Sequence, residues 1–276
     1  MNAVNILPAP TWNWLRMNES TPEFAAAGEE EKRELLVAEG EEKTEILWFE
    51  EGFADRICST DCRVKKNGSL TLVQVVAPKQ EERLINSICC QLEEKASFHL
   101  IQLFLSGKEV YQETKVFLSG EKSTFKADVA YSLHGEQDLD MNYVADHTGK
   151  RSTSELNVHG VLDQKAKKLF RGTIDFHRGA KGAKGNELEE VLLLSKGVVN
   201  RTIPLILCDE EDVEGNHGAS IGKLSEETMF YLTSRGIKED EVYRMMARAR
   251  LDLVTAMIPD EMIRERIHRY LSICHR

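Results

Sequence analysis

The chain reads as a mainly β protein that closes with a small helical subdomain, and three observations predict this. Apolar residues recur at every second position in many short runs between about 44 and 216. Turn signals punctuate those runs, and no helical pattern long enough for a crossover helix interrupts them. Beyond Gly222 the apolar spacing changes to three and four residues, the period of a helix. Strands in such number without βα alternation exclude a doubly wound sheet and leave a sandwich, a barrel or a β-solenoid.

Taken in order, the first segment, 1–43, carries Pro8, Pro10, Trp12 and Trp14, which suggests an extended stretch whose tryptophans dock on something. Good helix formers with little apolar face follow over 31–38, so a solvated helix is expected there. The β core is assigned to 44–222. Its clearest strand sets Phe125, Ala127, Val129, Tyr131 and Leu133 against Lys126, Asp128, Ala130 and Ser132, which predicts one buried face. The same period recurs at Leu139, Met141, Tyr143 and Ala145, at Phe170, Gly172, Ile174 and Phe176, and at Ile203, Leu205 and Leu207. Between the runs sit Asn67-Gly68, Ser106-Gly107, Ser119-Gly120, His134-Gly135, Thr148-Gly149 and a glycine-rich stretch over 179–185. No strict repeat is visible, although Leu103-Phe104-Leu105-Ser106-Gly107 and Val116-Phe117-Leu118-Ser119-Gly120 echo each other.

The helical subdomain is assigned to 223–276. Ser225 is placed to cap a short helix with Glu226 and Glu227 in its first turn, and Arg235-Gly236 to stop it. A second helix over 239–257 aligns Val242, Met245, Met246, Ala249, Leu253, Ala256 and Met257. A third puts Met262, Ile263, Ile267, Tyr270 and Leu271 on one face, leaving Arg264, Arg266 and Arg269 solvated.

The composition narrows the function. The 276 residues, 41% hydrophobic and 30% charged, have the balance of a soluble globular protein. Basic residues number 36 against 46 acidic ones, and the resulting charge of −10 repels a phosphate backbone, so no nucleic acid partner is expected. Uncharged stretches are too short or too broken to cross a bilayer, and the N-terminus lacks a secretory signal, so the expectation is a cytoplasmic protein with no membrane partner. Cys58, Cys62, Cys89, Cys90, Cys208 and Cys274 show neither a C-x-x-C pair nor zinc-type spacing, which reads as free, mostly packed thiols.

Linear catalytic signatures are lacking, so no enzyme is predicted. The 179–185 stretch lacks a G-K-[ST] step and reads as a flexible turn, with no nucleotide bound by this chain. An enzyme rival would have to use Asp138 with Asp140, or Asp209 with Glu211, as a carboxylate pair. Two residues remain as candidate ligands. His217 stands between Gly215 and Gly218 beside acidic and amide groups, open either to a metal or partner or to plain hydrogen bonding at the seam between sheet and helices. Cys208 lies nine residues earlier, so thiolate and imidazole together would make half of an iron or zinc site, unless the thiol simply packs.

The run Asp212-Val213-Glu214-Gly215-Asn216-His217-Gly218-Ala219-Ser220-Ile221-Gly222-Lys223-Leu224, followed by Phe230-Tyr231-Leu232-Thr233-Ser234-Arg235-Gly236-Ile237, resembles the C-terminal signature of the SufB/SufD family of iron–sulfur cluster assembly proteins. Supporting pieces precede it in order: Ser152-Thr153-Ser154, Gly160-Val161-Leu162-Asp163, Phe170-Arg171-Gly172-Thr173-Ile174, Gly179-Ala180 and Leu192-Leu193-Leu194-Ser195. The resemblance implies a right-handed parallel β-helix core with a C-terminal helical subdomain, which selects the solenoid among the three all-β options. It implies a non-enzymatic scaffold subunit whose C-terminal helices hold an ABC-type ATPase, SufC; the expected contact residues are Phe230, Arg235, Gly236, Ile237, Met245 and Met246, unless the methionines merely pack on the end of the solenoid. It also implies pairing with a SufB-like or identical second subunit and a transient iron–sulfur cluster at their interface. His217 matches the histidine of SufD-type members, and Cys208 is the thiol this chain offers nearby. Many SufD-type relatives carry a cysteine where Gly215 stands, and the SufB-type cysteine has no certain counterpart, so an accessory, SufD-like role is expected. The family-like alternative is a dimeric adaptor that binds the ATPase and never touches iron.

Overall fold

The computed structural model describes residues 3–11, 13–26, 30–50 and 55–274. Two seven-stranded parallel sheets face each other and form a β-solenoid, which resolves the all-β alternatives. One sheet stacks the odd strands β1 (Glu30–Val37), β3 (Asp55–Val64), β5 (Arg83–Leu92), β7 (Glu109–Leu118), β9 (Asp138–His147), β11 (Lys167–Phe176) and β13 (Val199–Cys208). The other stacks the even strands β2 (Glu42–Phe49), β4 (Ser69–Val76), β6 (Ser97–Phe104), β8 (Thr124–Leu133), β10 (Thr153–Leu162), β12 (Ala183–Leu193) and β14 (Val213–Gly222). Each odd strand and the even strand after it make one coil.

Register explains why no strict repeat shows in the sequence. Leu84 pairs with Val110, an offset of 110 − 84 = 26, whereas Lys167 pairs with Val199, an offset of 199 − 167 = 32. The echo between 103–107 and 116–120 is a half-coil, because the first ends β6 and the second ends β7.

Coils turn from odd to even strand through a stacked corner. Asn67, Lys95, Lys122 and Arg151 all adopt left-handed backbone there, with φ of 56°, 55°, 59° and 56°. Each donates its amide to a carbonyl of the next coil, at 3.0 Å to Glu94, 2.9 Å to Glu121, 2.9 Å to Lys150 and 2.8 Å to Lys181. The strain of a side chain at positive φ is offset by a satisfied hydrogen-bond ladder along the exposed corner.

Inward side chains fill the bore. Leu70, Leu72, Phe98, Leu100, Phe125 and Tyr131 stack along the even sheet, with Phe98 and Phe125 centroids 5.6 Å apart. A polar seam runs among them: Asn86 donates to Gln74 and Gln112, Gln102 donates to Gln74, and Tyr143 donates to Gln102 at 2.5 Å.

Helices cover the outer face of the even sheet. In α2 (Glu239–Thr255) and α3 (Glu261–Cys274), Leu251, Val254, Ile267 and Leu271, together with Ile258 between them, pack on Val73, Val75, Ile101, Leu103 and Ala130. For this reason Asp128, Ala130 and Ser132 of β8 are buried as well, where alternation predicted a single buried face. The buried stripe of α2 is Val242, Ala247, Leu251, Val254 and Thr255. Of the apolar set aligned by spacing, Met245, Ala249, Leu253, Ala256 and Met257 are exposed, since the sheet takes the neighbouring stripe. In α1 (Glu226–Ser234), Ser225 caps through the Thr228 amide and Gly236 terminates at φ 89°, as expected, yet no residue of this helix is buried. In α3 Met262 is likewise exposed, and Arg266 is exposed as expected while its guanidinium stacks 4.1 Å over the Trp48 ring. No helix among the described residues is long and apolar enough to cross a membrane.

Three other expectations are corrected. Residues 31–38 form strand β1 rather than a helix, because pairing with β3 buries Leu35 and Val37, so the solenoid starts at Glu30 instead of 44. The 179–185 stretch is not a free turn, since β12 begins at Ala183. The N-terminal segment does dock, along the outer face of the odd sheet, with Asn5, Leu7 and Met17 as its buried contact residues. Leu7 and Met17 pack on Ile203, Asn5 donates to Asp140 at 2.6 Å, and Arg171 pairs with Asp140 while donating to the Met17 carbonyl at 2.8 Å. Trp14 stays 76% exposed, and Trp12 lies outside the described residues.

Candidate functional site

Among the described residues, no strand pairs with the outer edges of β13 and β14, which form the last coil. Positions of β13 and β14 that correspond to the buried bore of earlier coils therefore open outward, and every residue of β14 is at least partly exposed. Register identifies the bore-facing set. Gly172 of β11 lies against Glu187 of β12, so close that a Cβ at 172 would meet the Glu187 Oε2 at 2.0 Å. Their partners one coil on are Pro204 and His217, so His217 faces Pro204 across the open bore. Thr202, Ile206 and Cys208 share the inward face of β13, and Gly215, Ala219 and Ile221 that of β14.

The floor of this opening is charged and buried. Lys168 pairs with Glu189 and donates to the Thr202 hydroxyl at 3.0 Å, while Thr202 donates to the other Glu189 oxygen at 2.7 Å. Glu187, the strand neighbour directly beneath His217, is pushed up to about 8 by burial first and by Glu189 second, with Lys168 opposing. A neutral carboxyl near physiological pH therefore sits under an exposed imidazole.

The structure does not bring Cys208 and His217 together. Cys208 is four residues along β13 from Pro204, about 13 Å at roughly 3.3 Å per residue, whereas ligands of one ion lie about 2.0–2.3 Å from it. Within one chain the thiol and the imidazole are not a shared ligand pair. Cys208 is exposed and its thiol donates to the Glu210 carbonyl at 3.1 Å. Cys58, Cys62 and Cys90 are buried, in keeping with packed thiols, and burial raises Cys58 to about 11. Gly215 faces the bore two residues before His217, where a side chain would meet Phe176 at 3.0 Å and Ile206 at 3.2 Å.

The proposed carboxylate pair fails at Asp140, which Asn5, Ser20 and Arg171 enclose beneath the N-terminal segment. Asp140 anchors structure and is closed to substrate. Asp209 and Glu211 sit exposed in the last corner.

Among the helical residues, Phe230 is 75% exposed, Tyr231 and Met245 are exposed, and Arg235 lies 4.6 Å over the Tyr231 ring. Ile237 is half-buried, and Gly236 is exposed. Met246 differs, because it packs with Val161, Leu192 and Ala247 on the solenoid, which withdraws it from the surface set. Sequence reasoning missed Lys168, Glu187 and Glu189. Lysine and glutamate at inward strand positions imitate solvent-facing residues, and only the register of both sheets reveals them as one buried group.

A parallel β-solenoid with an open, histidine-bearing end and exposed apolar residues on its C-terminal helices defines the class of fold. The comparisons specify the family. A sequence model described as SUF system FeS cluster assembly, SufBD core domain, matches residues 30–250, and the chain belongs to that family. It is 29% identical over 163 residues to the iron–sulfur cluster assembly protein SufD of Bacillus subtilis, covering 59% of this chain and 34% of that relative. An iron–sulfur cluster assembly SufBD family protein of Staphylococcus epidermidis is 30% identical over 134 residues, covering 48% of this chain and 28% of the relative. Another from Staphylococcus haemolyticus is 31% identical over 115 residues, covering 42% and 25%. The matched part thus spans between 25% and 34% of these relatives' own length.

Proposed function

We propose that this chain is a non-enzymatic, SufD-like scaffold subunit in iron–sulfur cluster assembly. Its open solenoid end meets a SufB-like or identical second subunit, and its C-terminal helices dock a SufC-like ABC ATPase. The observation that carries the reading is His217, an exposed imidazole on the bore axis of the one coil end formed by β13 and β14. Both strands leave an edge of unpaired backbone donors and acceptors there, which favours a second β structure joining it. The nascent cluster is cargo held between subunits. His217 supplies a nitrogen ligand from this side, and because Cys208 lies too far along the strand to share its ion, the partner supplies the thiolates. The exposed Phe230, Tyr231, Met245 and Leu253 offer adaptable apolar area to the ATPase, which supplies nucleotide hydrolysis from outside this chain. ATP-driven movement of the docked partner then opens or closes the coil-end interface.

Isolation of the tagged chain from its native cell under anaerobic conditions, followed by mass spectrometry, tests the assembly. A stoichiometric Walker-containing ABC ATPase is the expected companion. Its reproducible absence would contradict the scaffold role.

A further inference from the structure

Away from the open end, one histidine and two carboxylates converge on the outer face of the odd sheet. Asp146 of β9 and Asp175 of β11 are register partners, so their side chains leave the sheet one strand spacing apart, about 4.8 Å. His177 follows two residues after Asp175 on the same face, and its amide donates to the His147 carbonyl at 3.0 Å, which fixes the backbone that carries the ring. Its Nε2 lies 3.3 Å from Asp146 Oδ2 and 3.5 Å from Asp175 Oδ2. All three candidate donor atoms lie within 4.8 Å of one another.

That nitrogen is buried and makes no hydrogen bond, even though two carboxylates flank it. The spacings are longer than the usual 2.7–3.2 Å of an N–H···O bond. They fit instead the edges of a coordination tetrahedron, because bonds of about 2.1 Å meeting near about 109° put donor atoms about 3.4 Å apart. Two carboxylates this close also repel, and the nearby Asp209 adds negative charge. Lys115, a weaker counter-charge to Asp175 than His177 is, holds its ammonium 5.0 Å over the Phe117 ring.

We propose that Asp146, Asp175 and His177 form a site for a divalent transition-metal ion of the zinc class, distinct from His217 and independent of its role. One imidazole and two carboxylates without a thiolate suit Zn²⁺, Fe²⁺ or Co²⁺ better than soft ions such as Cu⁺. Three protein donors leave a fourth position for water or for a side chain of a bound partner.

Titration of the full, metal-stripped chain with Zn²⁺ by calorimetry, and with Co²⁺ by visible spectroscopy, tests the site. One tight equivalent is expected, and His177→Gln and Asp146→Asn should each weaken it about 100-fold or more, given that even outer partners of ligands cost 10–100-fold. His217→Ala should bind as the wild type does. The Co²⁺ spectrum should lack a thiolate charge-transfer band. All three side chains are partly exposed, and circular dichroism verifies that the variants remain folded. No uptake by the wild type, unchanged affinity in both His177→Gln and Asp146→Asn, or a thiolate band would overturn the proposal.

Discussion

Gly160 and Gly172 belong to the runs that resemble the SufB/SufD family, and neither needs glycine for a turn. Both are strand residues kept small so that a large neighbour can enter the bore. A Cβ at Gly160 would sit 2.0 Å from the Tyr131 ring, and one at Gly172 would strike Glu187. Gly160→Ala should therefore cost about 1–3 kcal/mol by overpacking. Urea denaturation of Gly160→Ala, Tyr131→Ala and the double variant checks the cause: the double should lose less than the sum of the singles, and strict additivity would refute the contact. Glu187 gives a second expectation at this scale. Between 4.5 and about 8 the unfolded chain has released a proton that folded Glu187 retains, so this residue makes stability fall as pH rises through that window. Glu187→Gln removes the titration and should flatten that decline, which urea midpoints measured across the window would show. Sequence patterning shows neither effect, because the partner of each residue is set by coil register and not by local spacing.

Elements were legible in proportion to how one-sided their burial is. The alternation in β8, β9 and β11 was readable because one face of each fills the bore, and that in β13 because Ile203 and Leu205 pack outward beneath the N-terminal segment. The strand at 30–37 was not, because as an edge it buries only Leu35 and Val37, and its charged residues then look helical. Capping chemistry placed α1 correctly at Ser225 and Gly236, while the spacing in α2 did not show which of its stripes is buried. Two apolar stripes run along that helix, and only the packed sheet decides between them. The unused stripe of Met245, Ala249, Leu253, Ala256 and Met257 is the basis of the ATPase proposal. Leu253→Glu should leave stability within about 0.5 kcal/mol, as for an ordinary surface change. Loss of an anchor at an interface centre should lower recovery of the ATPase with the tagged chain by about tenfold. Undiminished recovery would move the docking surface elsewhere.

For the whole molecule, parallel stacking makes strands far apart in sequence neighbours and leaves the two ends as the places where the core is unfinished. Coil lengths that vary between 26 and 32 residues hide this repeat from inspection, so the solenoid was legible only through the family resemblance, whereas its strands and turns could be read directly. The candidate site was legible at His217, since imidazole between glycines is visible in one dimension. It was not legible in the separation of His217 from Cys208, because nine residues of sequence hide a corner that places them at different points along facing strands.

The central claim is that His217 at the open coil end is a ligand from this subunit to a cluster assembled between subunits. The most direct measurement is cluster content, by visible absorption and iron and sulfide analysis, of the anaerobically isolated complex carrying His217→Ala, with subunit stoichiometry checked in the same preparation. The account predicts an intact complex that holds markedly less cluster than the wild type. An intact complex with undiminished cluster would contradict it and leave this chain as an adaptor that joins the ATPase without touching iron.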